Sequence, residues 1–268
     1  MIFEYAIGPE RSLIWVSRFF PVVILSFVGG FVGTWLFKRI ALKFNIVDRP
    51  DATVKTHTHD IAYLGGLGIL AGVLAGVLYG VYLVVDYDGP TRAIGWLLAI
   101  LAGGAIACFI GLLDDVFDIK PTHKIAGQLA AACVLLVTGI LPNLDFLSVN
   151  FSIPITGTFQ TVLESGIVVF FVLGATNSLN LLDGLDGLCA GVTAIITVAM
   201  LVLSVHLATW GFSDVGDPVR IIICLALVGA VCGFLPFNRH PARIFMGDAG
   251  SMLLGFVIAS LMMLFAER

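Results

Sequence analysis

Charge is what this sequence has least of. Only 12% of its 268 residues are Asp, Glu, Lys or Arg, against roughly 25% in soluble domains, and that scarcity excludes an ordinary water-facing surface. No basic stripe is present and the net charge is −4, so nucleic acid is not a partner: nothing neutralises its phosphates. The cysteines, Cys108, Cys133, Cys189, Cys224 and Cys232, lie in apolar stretches without a C-x-x-C pair, which argues against zinc ligation and disulfides. Residues 1–12 carry Glu4 and Glu10 where a cleavable leader has a basic segment, so the first apolar run is expected to be a permanent span. No repeat or low-complexity tract appears, and residues 1–268 are expected to form a single membrane-embedded domain.

What remains is hydrocarbon. Hydrophobic residues make up 59% of the chain and the mean hydropathy is +1.05, which points to an all-α polytopic membrane protein. Apolar runs near the length a bilayer requires, about 20 residues, occur at 13–37, 64–85, 93–113, 125–141, 162–179, 188–210, 219–237 and 252–266. About eight transmembrane helices are therefore expected, the run from Ile125 being the shortest. With eight crossings, the connections 38–63, 114–124, 180–187 and 238–251 share one side. That side carries nine of the fourteen basic residues, so the positive-inside rule makes it cytoplasmic and places both termini outside. On the other side, 86–90 and 213–218 read as short turns, and 142–161 reads as a hairpin or an interfacial segment.

The few charges that do occur are concentrated in motifs at the ends of these runs. Asn177-Ser-Leu-Asn180-Leu-Leu-Asp183-Gly-Leu-Asp186-Gly187 sets two carboxylates and two carboxamides between apolar stretches. Ionisable groups at a membrane helix end are costly without a partner, a cavity or a cation. Asn180, Asp183 and Asp186 stand at i, i+3 and i+6, and a continuing helix would present them as one inward-facing arc; a kinked helix end with Asn and Asp caps is the simpler alternative. Asp114-Asp115, followed by Asp118, and Asp248 of Phe245-Met246-Gly247-Asp248-Ala249-Gly250-Ser251 fall on the same side. Collected carboxylates repel, and a divalent cation, a proton or a base relieves them. Magnesium fits such oxygen ligands and leaves positions for water and substrate phosphates; manganese is the second choice. The segment 240–251 reads as an anion cradle at a helix start, or as a Gly-containing turn capped by Asp248 and Ser251. Lys55, Lys124 and Arg243 could meet phosphates or serve only as topology signals. His57 and His59 lack a third ligand and read as loop residues.

Three of these strings together resemble the polyprenyl-phosphate N-acetylhexosamine-1-phosphate transferases, the glycosyltransferase family 4 membrane enzymes that include UDP-GlcNAc:undecaprenyl-phosphate GlcNAc-1-phosphate transferases. They are Leu113-Asp114-Asp115 with Lys124 and Gln128, Asn177-x-x-Asn180-x-x-Asp183-Gly-x-Asp186-Gly-Leu188, and Pro241-Ala242-Arg243-Ile244-Phe245-Met246-Gly247-Asp248-Ala249-Gly250-Ser251, in family order. The likeness runs from about Asp48-Arg49-Pro50 to the last residue. It implies attack by a polyprenyl-phosphate oxygen on the sugar-bearing phosphate of a UDP-N-acetylhexosamine, with release of UMP, as the first membrane step of cell-envelope glycan synthesis.

The same resemblance assigns Asn180 and Asp248 to the magnesium ion, and Lys124 to pyrophosphate charge. By the same resemblance Asp114 and Asp115 assist the lipid phosphate and Asp183 and Asp186 line the nucleotide pocket; Asn177, Arg243 and Lys55 are further candidates for binding nucleotide or substrate. It implies a plasma or inner membrane location and leaves monomer and homodimer open. Phe237-Asn238-Arg239-His240-Pro241-Ala242-Arg243 is similar to the GlcNAc branch, with the phospho-MurNAc-pentapeptide branch as the alternative. Two departures stand out. Ala62-Tyr63 replaces the Pro-Arg common in the GlcNAc branch, and the further helices and cytoplasmic His-containing loop usual in the family do not follow Ala266-Glu267-Arg268, which keeps an inactive short homologue as a further alternative. A reading from another class, an ion-coupled transporter, requires helix breaks near mid-membrane and repeat symmetry.

Overall fold

The computed structural model describes residues 9–49, 60–86, 91–145, 157–211 and 213–267. Eight helices are found among them. They are α1 (Pro9–Lys43), α2 (Gly65–Asp86), α3 (Thr91–Phe117), α4 (Pro121–Thr138), α5 (Gly157–Leu182), α6 (Leu188–Thr209), α7 (Gly216–Asn238) and α8 (Gly247–Phe265). Each corresponds to one of the eight apolar runs, with ends differing by up to a few residues. Seven are long and apolar enough to cross a membrane. The eighth, α4, has 18 residues and reaches about 27 Å at 1.5 Å per residue, slightly short of a hydrocarbon core of about 30 Å. Its first two turns carry His123, Lys124 and Gln128, which dilutes its apolarity at the end where the motifs lie. The stretch 146–156, with Lys55, His57 and His59, lies outside the described residues, and α5 begins at Gly157, within the segment read as a long connection.

Burial separates the helices into a centre and a rim. The most apolar windows of α7 and α8 are each 83% buried, against 33% for α1, 22% for α5 and 28% for α6, so the last two helices form the core. Around them α1 packs on α2 and α7, α3 on α4 and α8, α5 on α8, and α6 on α7. Phe20, Phe31, Phe170, Ile195 and Val202 are exposed on the rim helices. In water that pattern would be a liability; in hydrocarbon it costs nothing.

Short antiparallel strands β1 (Val47–Asp48) and β2 (Ile61–Ala62) lie at the motif end of the bundle. The strand β2 also bridges in parallel to Ile244. Its Ala62 carbonyl accepts from the Phe245 N–H at 2.9 Å, and the Gly65 and Gly66 N–H groups donate to the Phe245 and Met246 carbonyls at 2.9 and 3.0 Å. The start of α2 is thereby sewn to the approach to α8. At the opposite end, Asp217 and Arg220 form an ion pair that is almost wholly buried, at 1% and 0% exposure, and Arg220 Nη1 donates to the Leu264 carbonyl at 2.8 Å. That pair ties the start of α7 to the end of α8.

Close backbone approach is required where α3 crosses the start of α8. A Cβ placed on Gly111 would collide with the Asp248 carbonyl and the Ala249 nitrogen, whereas one on Gly95, in the same helix, would meet nothing within 4 Å. Gly111→Ala should therefore destabilise the protein by about 1–3 kcal/mol through overpacking. Gly95→Ala should be neutral or stabilise by up to about 1 kcal/mol through helix propensity. Thermal unfolding of the two variants in detergent checks this, and equal midpoints would contradict the packing described.

Candidate functional site

The ends of α3, α4, α5 and α8 bring one charged cluster together. Lys124, in the first turn of α4, places Nζ 2.9 Å from Asp114 Oδ2 and in direct contact with Asp248 Oδ2. The other oxygen of Asp248 accepts from the Asn180 side-chain amide, whose nitrogen also lies 3.1 Å from Ser251 Oγ. Residues far apart in sequence thus share one ammonium and one carboxylate. The Asp114, Lys124 and Asp248 side chains retain 16%, 20% and 19% exposure, open enough to meet a ligand and closed enough to weaken screening by water.

Asp115 has a different partner from its neighbour. Its two oxygens accept from the Asp248 and Ala249 backbone N–H groups at 2.8 and 3.0 Å, so this carboxylate caps the start of α8. The first N–H groups of a helix lack intrahelical acceptors and attract anions. An anion cradle was expected over 240–251; the anion at these two donors is the protein's own Asp115, because the last turn of α3 reaches them first. Gly247 makes this possible. Its φ is +65°, and a side chain there would meet the Asp115 carboxylate.

The 177–187 motif is divided by the end of α5. The helix stops at Leu182, and 183–187 form turns, so Asn180, Asp183 and Asp186 do not form one helical arc. The two glycines and the Asp residue before each of them break the ladder before a further turn can form. Asn177, one turn before Asn180, donates to Gln128 Oε1 at 3.1 Å and to the Leu173 carbonyl at 2.7 Å, joining α5 to α4. Asp183 lies under the field of the acidic cluster. Burial first, then the Asp115 and Asp248 charges, push its pKa up to about 8, with the Gly247 backbone N–H pulling the other way. Asp186 reaches instead to the loop between α7 and α8, where one of its oxygens meets His240 Nδ1 at 2.9 Å and the Ala242 N–H at 3.0 Å. Arg243 is exposed and lines a small pocket with Pro236, Arg239, His240 and Pro241, apart from Lys124. Lys55 lies outside the described residues.

Asn238 is a residue that motif reasoning passed over. It is 2% exposed, its Oδ1 accepts from the Gly187 N–H at 3.1 Å, and its Nδ2 donates to the Ile244 carbonyl at 3.0 Å. One buried amide thus holds the α5–α6 loop against the α7–α8 loop. The sequence signal was its place inside Phe237-Asn238-Arg239-His240, read there only as a mark of the branch.

Two cavities flank the cluster. One, of about 820 Å³, is polar and is lined by Asp48, Tyr63, Asp114, Asp115, Asp118 and Asp248 among others. The second, of about 840 Å³, is largely apolar and runs from Leu185, Asp186 and Leu188 to Cys232, Leu235 and His240. Charge around the first is unbalanced: five carboxylates, Asp48, Asp114, Asp115, Asp118 and Asp248, line it, and Lys124 contacts two of them, Asp114 and Asp248. Like charges 4 Å apart cost about 4 kcal/mol at an effective dielectric near 20. Protons or a bound cation must offset the excess. All-oxygen donors suit a hard divalent ion. Among the described residues, no three Asp, Glu, His or Cys groups converge as a complete metal cage, so such an ion would complete its shell with water and phosphate oxygens.

The family model described as Glycosyl transferase family 4 matches residues 97–266, a stretch that contains every element of this cluster. The chain belongs to that family. Within it, the chain is similar to a probable undecaprenyl-phosphate N-acetylglucosaminyl 1-phosphate transferase of Bacillus subtilis, with 36% identity covering 92% of this chain and 63% of that protein. A decaprenyl-phosphate N-acetylglucosaminephosphotransferase of Mycobacterium leprae is 34% identical over 97% of this chain and 63% of its own length. The family's phospho-N-acetylmuramoyl-pentapeptide-transferase of Heliobacterium modesticaldum is 33% identical over 90% of this chain and 73% of that protein. The chain spans between half and two-thirds of the length of the first N-acetylglucosaminyl relatives.

The raised pKa of Asp183 has a consequence for stability. Its carboxyl is protonated in the fold at pH values where the unfolded chain, with a carboxylate near 4, has already ionised. Stability is thus full below the unfolded value and falls as pH rises from about 4 to about 8. Asp183→Asn removes that loss. In detergent with EDTA, the variant's unfolding midpoint should exceed that of the unaltered protein by a few degrees at pH 8, with the gap closing towards pH 4. A gap independent of pH would contradict the burial described.

Proposed function

We propose that this chain transfers N-acetylhexosamine-1-phosphate, most simply GlcNAc-1-phosphate, from a UDP-sugar to a polyprenyl phosphate and releases UMP. The observation that carries the reading is Lys124 held between Asp114 and Asp248, two carboxylates that line the polar cavity. The printed names of the GlcNAc relatives point to the same chemistry. In this reading a lipid phosphate oxygen forms a bond to the phosphorus that bears the sugar. The bond from that phosphorus to the oxygen of UMP breaks, and its electron pair leaves with UMP.

Positioning and charge compensation supply most of the rate in phosphoryl transfer. Lys124 opposes the charge of the diphosphate, and Asp114 and Asp248 hold its ammonium in one place, so little rearrangement is needed as charge shifts towards the leaving oxygen. Asp115, by capping α8, fixes where Asp248 stands. Asp248 and Asn180 are the residues that would hold a magnesium ion. Asn180 turns its amide nitrogen towards Asp248, so ligation through its oxygen requires the amide to turn over. Bound there, the ion would neutralise phosphate oxygens. Asp183 and the Asp186 loop form the wall assigned to the nucleotide, and the apolar cavity beside that loop offers hydrocarbon surface. The motif end faces the cytoplasm, consistent with its excess of Lys and Arg, with the N-terminus on the opposite side.

Membranes containing the chain, supplied with UDP-GlcNAc, undecaprenyl phosphate and magnesium, should release UMP. EDTA should stop release. Lys124→Met and Asp248→Ala should each lower the rate by about 100-fold or more. Release no faster than in the Asp248→Ala control would refute the assignment, and release only with UDP-MurNAc-pentapeptide would move the chain to the other branch.

A further inference from the structure

Tyr63 stands in the polar cavity with no role in the chemistry so far. Its ring lines the cavity together with Asp48, Asp114, Asp115 and Asp248. Its backbone is fixed from both sides: the Tyr63 N–H donates to the Ile46 carbonyl at 3.3 Å, and the preceding carbonyl, that of Ala62, accepts from Phe245 at 2.9 Å. The ring also meets Phe245 edge-on, with centroids 6.2 Å apart. The ring is therefore held by packing at the wall of the polar cavity.

A phenol in such a cleft is a poor partner for nothing and a good one for a phosphate. Burial, followed by the charges of Asp115, Asp248, Asp48 and Asp183, holds its pKa above the ordinary value, so it keeps its proton at any physiological pH and can donate. It adds no charge. The cleft's ammonium is already shared by two carboxylates, so a phosphate entering here needs further donors.

We propose that Tyr63 is a substrate-binding residue whose hydroxyl donates a hydrogen bond to a phosphate oxygen of the ligand held against Asp114 and Asp248. The inference rests on the phosphotransfer reading for its ligand class and extends it to a residue on the β2 ribbon. The phosphate has two sources, the diphosphate of the nucleotide sugar or the lipid phosphate.

Tyr63→Phe separates hydroxyl from ring, since the edge-on contact with Phe245 survives. Binding of UDP-GlcNAc and, separately, of farnesyl phosphate is measured calorimetrically on the full chain in detergent with magnesium, alongside kcat and KM for UMP release. A hydrogen bond to a charged group is worth about 1.5–3 kcal/mol, so Kd for one ligand should rise by about 10-fold or more. The ligand that weakens identifies the phosphate. Unchanged Kd for both ligands, with an unaltered unfolding midpoint, would overturn the proposal, as would failure of the unaltered protein to bind either. If the protein binds UDP-GlcNAc without turning it over, the transfer reading fails while the Tyr63 comparison still decides.

Discussion

Everything at the motif end depends on one ammonium among carboxylates. Lys124 touches Asp114 and Asp248, and through them it draws the ends of α3, α4 and α8 to one point. Remove its charge and these acids, with Asp115 and Asp183 beside them, face one another across a half-buried site where water screens poorly. The site is consequently poised to accept protons or cations, and oxygen donors of this kind favour a hard ion over a soft one. The phosphotransfer proposed above would gain from that bias, because the same positive charge that relieves the acids would attract a substrate's phosphates.

The cluster can be held in this state because its supports are rigid. Asp115 does not compete for Lys124; it satisfies two backbone donors at the start of α8, and α8 is among the most buried elements of the bundle. On the far side Asn238 and Asp186 join the two motif loops through backbone groups. Charged side chains therefore rest on hydrogen-bonded backbone. The buried Asp217–Arg220 pair performs the comparable task at the opposite end, where α7 and α8 would otherwise be free to slide.

Membership in glycosyl transferase family 4 places these features in one matched stretch. The match from residue 97 to 266 contains α4 to α8 and nearly all of α3, whereas Tyr63 lies outside it on the β2 ribbon. A residue outside the matched stretch nonetheless lines the same cavity as Asp114 and Asp248, because Phe245 pairs with Ala62 across the ribbon.

Sequence alone determined the number and placement of the apolar helices, since a bilayer demands about 20 apolar residues per crossing and the chain keeps its charges at the ends of such runs. It also marked Asp114, Asn180 and Asp248 as candidates, because ionisable and amide groups at the ends of apolar runs are rare enough to be read directly, while Lys124 could as well have been a topology signal. Only the tertiary structure decided how the acids divide their work. Adjacent Asp114 and Asp115 look equivalent in a string, yet one faces Lys124 and the other caps α8. Asp183 and Asp186 are equally alike, yet the helix ends before both and sends one towards the acidic cluster and the other to His240 and Ala242. Local spacing predicts a face only while a helix continues. Once α5 breaks at Leu182, partners are set by which backbone groups lie within reach, and those belong to helices far away in the chain.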